Sequence, residues 1–201
     1  IITTGFDRKN LYFEVQHPKD KFSALLKIVQ RNKGKCGIVY CGTRKNVEEV
    51  CQKLQDEGFN ALRYHAGLTN QERLYSQNCF IYDKCDIIVA TNAFGMGIDK
   101  SNVSYVVHYN MPKNIESYYQ EAGRAGRDGE PAECILLYSA SDVSLNRFLI
   151  EQSENDEIPP DVMAKIKNQE RELLKYMTFY CTITTCLRSY ILKYFGDKGM
   201  T

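Results

Sequence analysis

The sequence has no surplus of charge: Lys and Arg number 26, Asp and Glu 25, and the net charge is +1. Bulk charge therefore announces no nucleic-acid partner, and any such contact depends on where individual Lys, Arg and backbone N–H groups sit. No apolar run approaches the roughly 18 residues that a bilayer-spanning helix needs, and no signal peptide is present, so no membrane partner is expected. Internal repeats, heptad arrays and low-complexity tracts are also missing, which excludes solenoids and coiled coils. The opening residues Ile1-Ile2-Thr3-Thr4-Gly5 include neither a starting Met nor a targeting pattern, as expected of a piece of a longer protein. The chain does contain 8 Cys, but at 201 residues it can bury a core without disulfides. Cys36, Cys41 and Cys51 fall inside apolar strand or helix patterns, where a thiol behaves as a small hydrophobe. A reducing, intracellular compartment is expected, cytoplasmic in a bacterium and nuclear in a eukaryote.

What is present is an alternation of two periods. Leu11–Gln16 is β-prone; Phe22, Leu25, Leu26 and Val29 recur at helical spacing; Gly37–Cys41 is a compact strand. Val47, Val50, Cys51 and Leu54 share a helical face that Gly58 should end, and Asn60–His65 is strand-like. Thr69 and Glu72 form a capping-box pattern. Asp86–Thr91, Val103–Tyr109 and Glu133–Tyr138 are near-continuous apolar strands of the kind covered on both faces. The predicted fold for residues 1–150 is a mostly parallel twisted α/β sheet with helices on both faces. Right-handed crossovers then place the strand C-termini along one edge. The acidic stretch Glu151–Glu157 and Pro159-Pro160 mark a boundary, and residues 151–201 are expected to form a small helical appendage. There Asp161 is predicted as N-cap, with Val162, Ile166, Leu173 and Met177 in one stripe and a second helix over about Thr184–Phe195 stopped by Gly196.

The strongest chemical signal is Gln120-Glu121-Ala122-Gly123-Arg124-Ala125-Gly126-Arg127-Asp128-Gly129. Two Arg three positions apart, among Gly that let the backbone approach, can converge on one anion, and a charge that never titrates suits a developing phosphoryl transition state. The bland alternative is an Arg pair making surface salt bridges. Thr91 ends an apolar strand and Gly95 and Gly97 follow, so a hydroxyl and backbone N–H groups can face a phosphate, or Gly serves only a tight turn. Asp99 can accept from a ribose hydroxyl or cap a turn. Thr43 and Arg44 open a helix, as a phosphate cradle or as a plain cap. His65, before Ala66-Gly67, is not read as a general base.

These motifs together resemble the RecQ-type helicases of superfamily 2. The arginine run resembles their motif VI, Ile38–Arg44 motif IV, Tyr64–Leu68 motif IVa, and Ala90–Lys100 motif V, all in the family's order and covering nearly all of residues 1–150. The resemblance implies the second RecA-like domain of an ATP-dependent DNA helicase, with 3′-to-5′ polarity. Arg124, Arg127 and Gln120 would then act on ATP with Gly97, Asp99 and Gly123. Thr43, Arg44, His65, Ala66, Gly67, Thr91 and Asn92 would track single-stranded or partly duplex DNA. In the tail, Thr185–Arg188 and Tyr194–Asp197 resemble the start of the family's zinc-binding region, with Cys186 the candidate Zn²⁺ ligand; Leu187-Arg188-Ser189 departs from the family's further Arg. One ligand cannot make a four-ligand site, so no zinc is expected in this chain alone.

Half of the nucleotide machinery is missing. No G-x-x-x-x-G-K-[ST] occurs, and no strand ends in an Asp-Glu pair for Mg²⁺. Both are expected on an upstream RecA-like domain of the same chain, which leaves this part inactive by itself. Three rival classes stand beside this reading. A dinucleotide-binding oxidoreductase fits poorly, because Lys100 replaces the third Gly of its fingerprint. The others are a non-catalytic nucleic-acid-binding module and an RNA helicase motor half. A Walker-type Lys and an acidic quartet upstream would decide for a helicase.

Overall fold

The computed structural model describes residues 7–95, 100–155 and 157–196. In chain order the elements are β1 (Leu11–Gln16), α1 (Lys21–Arg31), β2 (Cys36–Tyr40), α2 (Arg44–Asp56), β3 (Ala61–Tyr64), α3 (Asn70–Ile81) and β4 (Ile87–Ala90). They continue as β5 (Val103–His108), α4 (Ile115–Ala122), β6 (Ala132–Leu137), α5 (Ala140–Gln152), α6 (Pro160–Thr182) and α7 (Leu187–Tyr194). The strands form one sheet in the order β1-β6-β5-β2-β4-β3, and every neighbouring pair is parallel.

Both faces of the sheet are covered, and side-chain alternation divides the core. Ile38, Tyr40, Ile88, Ala90, Val106, Cys134 and Leu136 face one cluster; Val39, Cys41, Ile87, Val89, Tyr105, Val107, Ile135 and Leu137 face the other. The second cluster is closed by Leu25, Ile28 and Val29 of α1 and Val47, Val50, Cys51 and Leu54 of α2. The first receives Phe80 of α3, Tyr118 of α4, Ile150 of α5, and buried residues of α6 and α7. Each such side chain contributes roughly 1.5–3 kcal/mol when fully buried. The cysteines are part of this packing: burial pushes the Cys36, Cys85 and Cys134 thiols up to about 12 and Cys51 to about 11, which keeps them protonated and unreactive near neutrality.

The capping box forms as read, with Thr69 and Glu72 bonding reciprocally at the start of α3. The tail differs from expectation. Pro159, not Asp161, is the N-cap of α6, because Pro160 occupies the first helical turn, where a missing N–H costs nothing. Val162 and Ile166 remain exposed at 39% and 37%, and the buried stripe is Leu174, Met177, Tyr180 and Cys181. The second helix starts at Leu187, after Cys186, rather than at Thr184. The Pro159-Pro160 break separates α5 from α6 along the chain, yet the buried face of α6 shares the sheet's apolar cluster, and the Tyr180 hydroxyl donates to that of Tyr118 at 3.3 Å. At the β1 edge Arg188 of α7 donates to backbone carbonyls of Arg8 and Leu11, which blunts an otherwise open strand.

Candidate active site and nucleic-acid interface

The arginine loop leaves the C-terminus of α4, whose N-cap Asn114 accepts from the Ser117 amide at 2.8 Å. Gly123 caps its end. The loop then crosses the start of the sheet: the Gly126 amide donates to Val103 O at 2.8 Å and the Asp128 amide to Ser101 O at 3.2 Å. Gly126 has φ +56°, and a Cβ there would lie 2.5 Å from Asn10 Nδ2 and 2.7 Å from Glu130 O, so the turn requires glycine.

Arg124 is half-buried and donates from Nη1 to Gly95 O at 2.7 Å, while its buried Nε has no partner among the described residues. Gly95 has φ +141°, and the guanidinium fills the space a side chain would need: a Cβ would lie 2.1 Å from Arg124 Nη2. Arg124 also hydrogen-bonds the Tyr40 hydroxyl, which in turn donates to Phe94 O at 3.2 Å. Burial pushes the Tyr40 phenol up; the positive charges of Arg124 and Arg127 both oppose that rise, and Glu121 adds to it. The Tyr40 phenol thus feels the charge of both arginines, Arg124 more strongly than Arg127. Arg127 is exposed. Gln120, on the exposed side of α4, has no hydrogen-bond partner among the described residues and is not brought onto either arginine. Gly97 and Asp99 lie outside the described residues.

Beneath the arginines is a buried layer that the motifs did not single out. His108 Nε2 lies 2.8 Å from Glu121 Oε2; the imidazole stacks on Tyr40 at 5.3 Å between centroids; and its Nδ1 is buried without a partner among the described residues. The sequence signal was a His closing an apolar strand and a Glu inside the arginine run.

The proposed DNA-contacting residues gather at the C-terminal ends of the strands. The ends of β2, β4 and β3 are side by side, with Tyr40 paired to Ala90 and Ala90 to Tyr64. Thr43 caps α2 by accepting from the Asn46 amide at 3.1 Å. Arg44 is exposed and lies over Gly67: a Cβ there would be 3.2 Å from its Cδ and Nη1. His65 Nδ1 accepts from the Gly67 amide at 3.1 Å, which leaves the ring proton on Nε2 for Glu48 Oε1 at 2.8 Å. Ala66 and Gly67 are exposed; the Thr91 amide donates to Tyr64 O, and Asn92 is exposed beside them. The fold thus brings all seven of these residues to one edge.

A polar hub that sequence reading missed supports this edge. Buried Asp142, the N3 residue of α5, binds Lys21 Nζ at 2.6 Å, Asn110 Nδ2 at 2.9 Å and the Met111 amide at 3.2 Å. Asn110 Oδ1 accepts from the Gly42 amide and from Asn46, both at 3.0 Å, which ties the start of α2 to the end of β5. A cleft of about 110 Å³ lies here, lined by Gly42, Asn92, His108, Asn110, Lys113 and Glu121 among others. The capping-box spacing of Ser139 and Asp142 marks a helix start, but no short motif announces the hub, since its other partners come from two distant segments, Lys21 and Asn110-Met111.

For zinc, the described residues offer no fit. Cys186 is exposed at the start of α7 with its thiol lowered by hydrogen bonding to Ser189, Cys181 is buried, and no group of three or more potential ligands occurs among the described residues.

Residues 20–129 match the family described as "Helicase conserved C-terminal domain", and the chain belongs to that family. Within it the chain is of the RecQ type: residues 140–200 match "RecQ zinc-binding", a match that starts with α5 rather than after it. The ATP-dependent DNA helicase RecQ of Bacillus subtilis is 45% identical over 98% of this chain and 32% of its own length. A putative ATP-dependent RNA helicase of Acanthamoeba polyphaga mimivirus is 39% identical over 98% of this chain and 35% of its own. The chain thus spans about a third of the length of these relatives. A crystal structure of a DEAD box protein from Methanococcus jannaschii superposes with TM-score 0.58 at 29% identity, covering 69% of this chain and 38% of that one. Among the described residues no helix is long and apolar enough to cross a membrane.

Proposed function

We propose that this chain is the C-terminal motor half of an ATP-dependent 3′-to-5′ DNA helicase, completed by an upstream RecA-like domain that holds most of ATP and its Mg²⁺. Arg124 and Arg127 supply positive charge to the γ-phosphate as the two domains close, and Gln120 meets the nucleotide from α4. Thr43, Arg44, His65, Ala66, Gly67, Thr91 and Asn92 carry the phosphates of a single strand. The observation that carries this reading is the Arg124 guanidinium held on Gly95 O, its buried Nε unpartnered among the described residues, with the charge of Arg127 also felt at the Tyr40 phenol beside it. Such an arrangement is fixed before the reaction, which is where arginine charge is most effective.

The test uses the full-length enzyme. Arg127→Ala should cut DNA-stimulated ATP hydrolysis by about 10³-fold or more, while ATP binding and melting temperature change little. Near-normal turnover in the stably folded Arg124→Ala/Arg127→Ala double variant would end the proposal. The mimiviral relative's name gives RNA as a second reading, and the DNA helicase name of the Bacillus subtilis relative, at 45% against 39% identity, favours DNA. Stimulation of hydrolysis by single-stranded RNA above that by DNA would reverse the choice. A zinc site of the full-length protein would draw on Cys186 together with ligands beyond those described.

A further inference from the structure

We infer that Arg188 of α7 is a positioning residue for the arginine loop, acting at a distance through residues 7–11 and the side chain of Arg8. The inference rests on the reading that Arg124 and Arg127 serve hydrolysis.

The relay is continuous. Arg8 donates from Nη1 to Gly123 O at 2.5 Å and from Nη2 to Ala125 O at 2.9 Å and Gly126 O at 2.6 Å. Those three carbonyls bracket Arg124. Asn10 Nδ2 donates to Gly126 O at 2.8 Å and Glu130 O at 2.9 Å, which brackets Arg127. The backbone adds one rung, with the Ala132 amide donating to Asn10 O at 2.9 Å. Residues 7–11 are held in turn by Arg188, which donates from Nη1 to Asp7 Oδ1 at 2.9 Å and Arg8 O at 2.6 Å, and from Nη2 to Leu11 O. The Arg188 guanidinium lies 5.7 Å from the centre of the Phe13 ring. α7 is fixed to the core by buried Ile191 and Leu192. No hydrogen bond joins Arg188 to residues 123–130 among the described residues, so its influence on the loop runs through the segment between them.

The chemistry suits arginine at both points. The carbonyls of Gly123 and Ala125 follow a helix end without a further helical turn to accept from, and Gly126 O takes the Gly129 amide at 3.1 Å besides the Arg8 side chain. One planar guanidinium reaches three acceptors in fixed directions, and a lysine ammonium on a flexible stem does not. Charge offered to a transferring phosphoryl group acts only from the right place, and a displacement of about 1 Å costs about 10²-fold. The C-terminal helical region thus sets the geometry of a catalytic loop to which its Arg188 makes no hydrogen bond among the described residues.

The test compares Arg188→Ala, Arg8→Ala and Arg8→Lys in the full-length enzyme by amide hydrogen exchange and steady-state kinetics. Arg188→Ala should speed exchange within residues 123–130 as well as at 7–11 and lower kcat about 10-fold, with KM for ATP within about twofold. Arg8→Ala should lower kcat about 10²-fold. Arg8→Lys should recover little, and its full recovery would reduce Arg8 to a source of bulk charge and overturn the inference. On an Arg124→Ala/Arg127→Ala background, Arg8→Ala should cost almost nothing further, whereas a purely structural loss would add. Should Arg8→Ala fold poorly, Arg8→Lys and Arg188→Ala still decide. Unchanged exchange at 123–130 in Arg188→Ala overturns the relay whatever the turnover. Near-normal turnover of Arg127→Ala would instead sink the catalytic reading, and the exchange result would then judge the relay alone.

Discussion

The arginine loop and the strand-end track lie on one parallel sheet, the loop running back across the start of β5 and the track along the C-terminal ends of β2, β4 and β3, and they are built on opposite principles. The loop is held from outside: its carbonyls are gripped by Arg8 and Asn10, and Arg124 is pinned between Gly95 and Tyr40. The track is held from below, by the Asp142–Asn110 network and by His65, while Arg44, Ala66, Gly67 and Asn92 face solvent. A charge that must meet one developing oxyanion gains from immobility. Contacts to a repeating phosphate backbone need only the right spacing and tolerate side-chain freedom. The difference therefore follows from the proposed tasks, and substitutions in the two regions should fail in different ways.

The largest effect is expected at Gly95. An alanine Cβ would displace the Arg124 guanidinium from 2.1 Å and would sit on a backbone at φ +141°. Gly95→Ala in the full-length enzyme should lower kcat by at least about 10²-fold while single-strand affinity stays within about twofold. A comparable loss of affinity would mean that the two regions are one functional unit, and the contrast would fall.

The sheet was legible because its signal is local. Continuous apolar runs such as Asp86–Thr91 are what a strand covered on both faces must look like, and each begins or ends within a residue or so of the observed element. The strand-end residues were equally legible, since parallel topology alone brings the ends of β2, β4 and β3 together. The supports of the site were not. Arg8, Asn10, Asp142 and Arg188 act on partners more than 30 residues away, and nothing in their neighbourhoods points to those partners. The tail misreadings have a local cause: Pro160 displaces the cap that Asp161 would otherwise supply, and the buried stripe of α6 is set by where Tyr118 waits for Tyr180.

A smaller and differently shaped effect is expected at Arg44. Its guanidinium is exposed over Gly67 at the start of α2, so its loss removes about one phosphate contact and no core packing. Arg44→Ala should weaken single-strand binding uniformly across sequences and reduce the salt dependence by about 0.7 in log–log slope. At saturating DNA kcat should be near normal. Loss of affinity confined to particular sequences would show that this residue reads bases rather than backbone.

The smallest effect, and the one that separates orientation from charge, is expected at Glu48. Burial raises its carboxyl, but hydrogen bonds from His65 and from Arg63 at 2.6 Å outweigh this and leave it below its ordinary value of 4.5. A carboxyl lowered in the folded state stabilises that state fully above pH 4.5, and the contribution is lost as pH falls through the folded value. The pair is largely solvent-exposed, so the amount is below about 1 kcal/mol after screening. Glu48→Gln should therefore flatten the acid side of the stability curve and lower the neutral melting temperature only slightly. Gln keeps an oxygen that can accept from His65 Nε2, so the ring should stay in place with its Nδ1 toward Gly67, and single-strand affinity should hold or rise as a negative charge leaves the track. Glu48→Ala removes that acceptor as well and should weaken binding. Equal weakening by both variants would show that Glu48 acts through its charge, and His65 would then lose its place as an oriented member of the track.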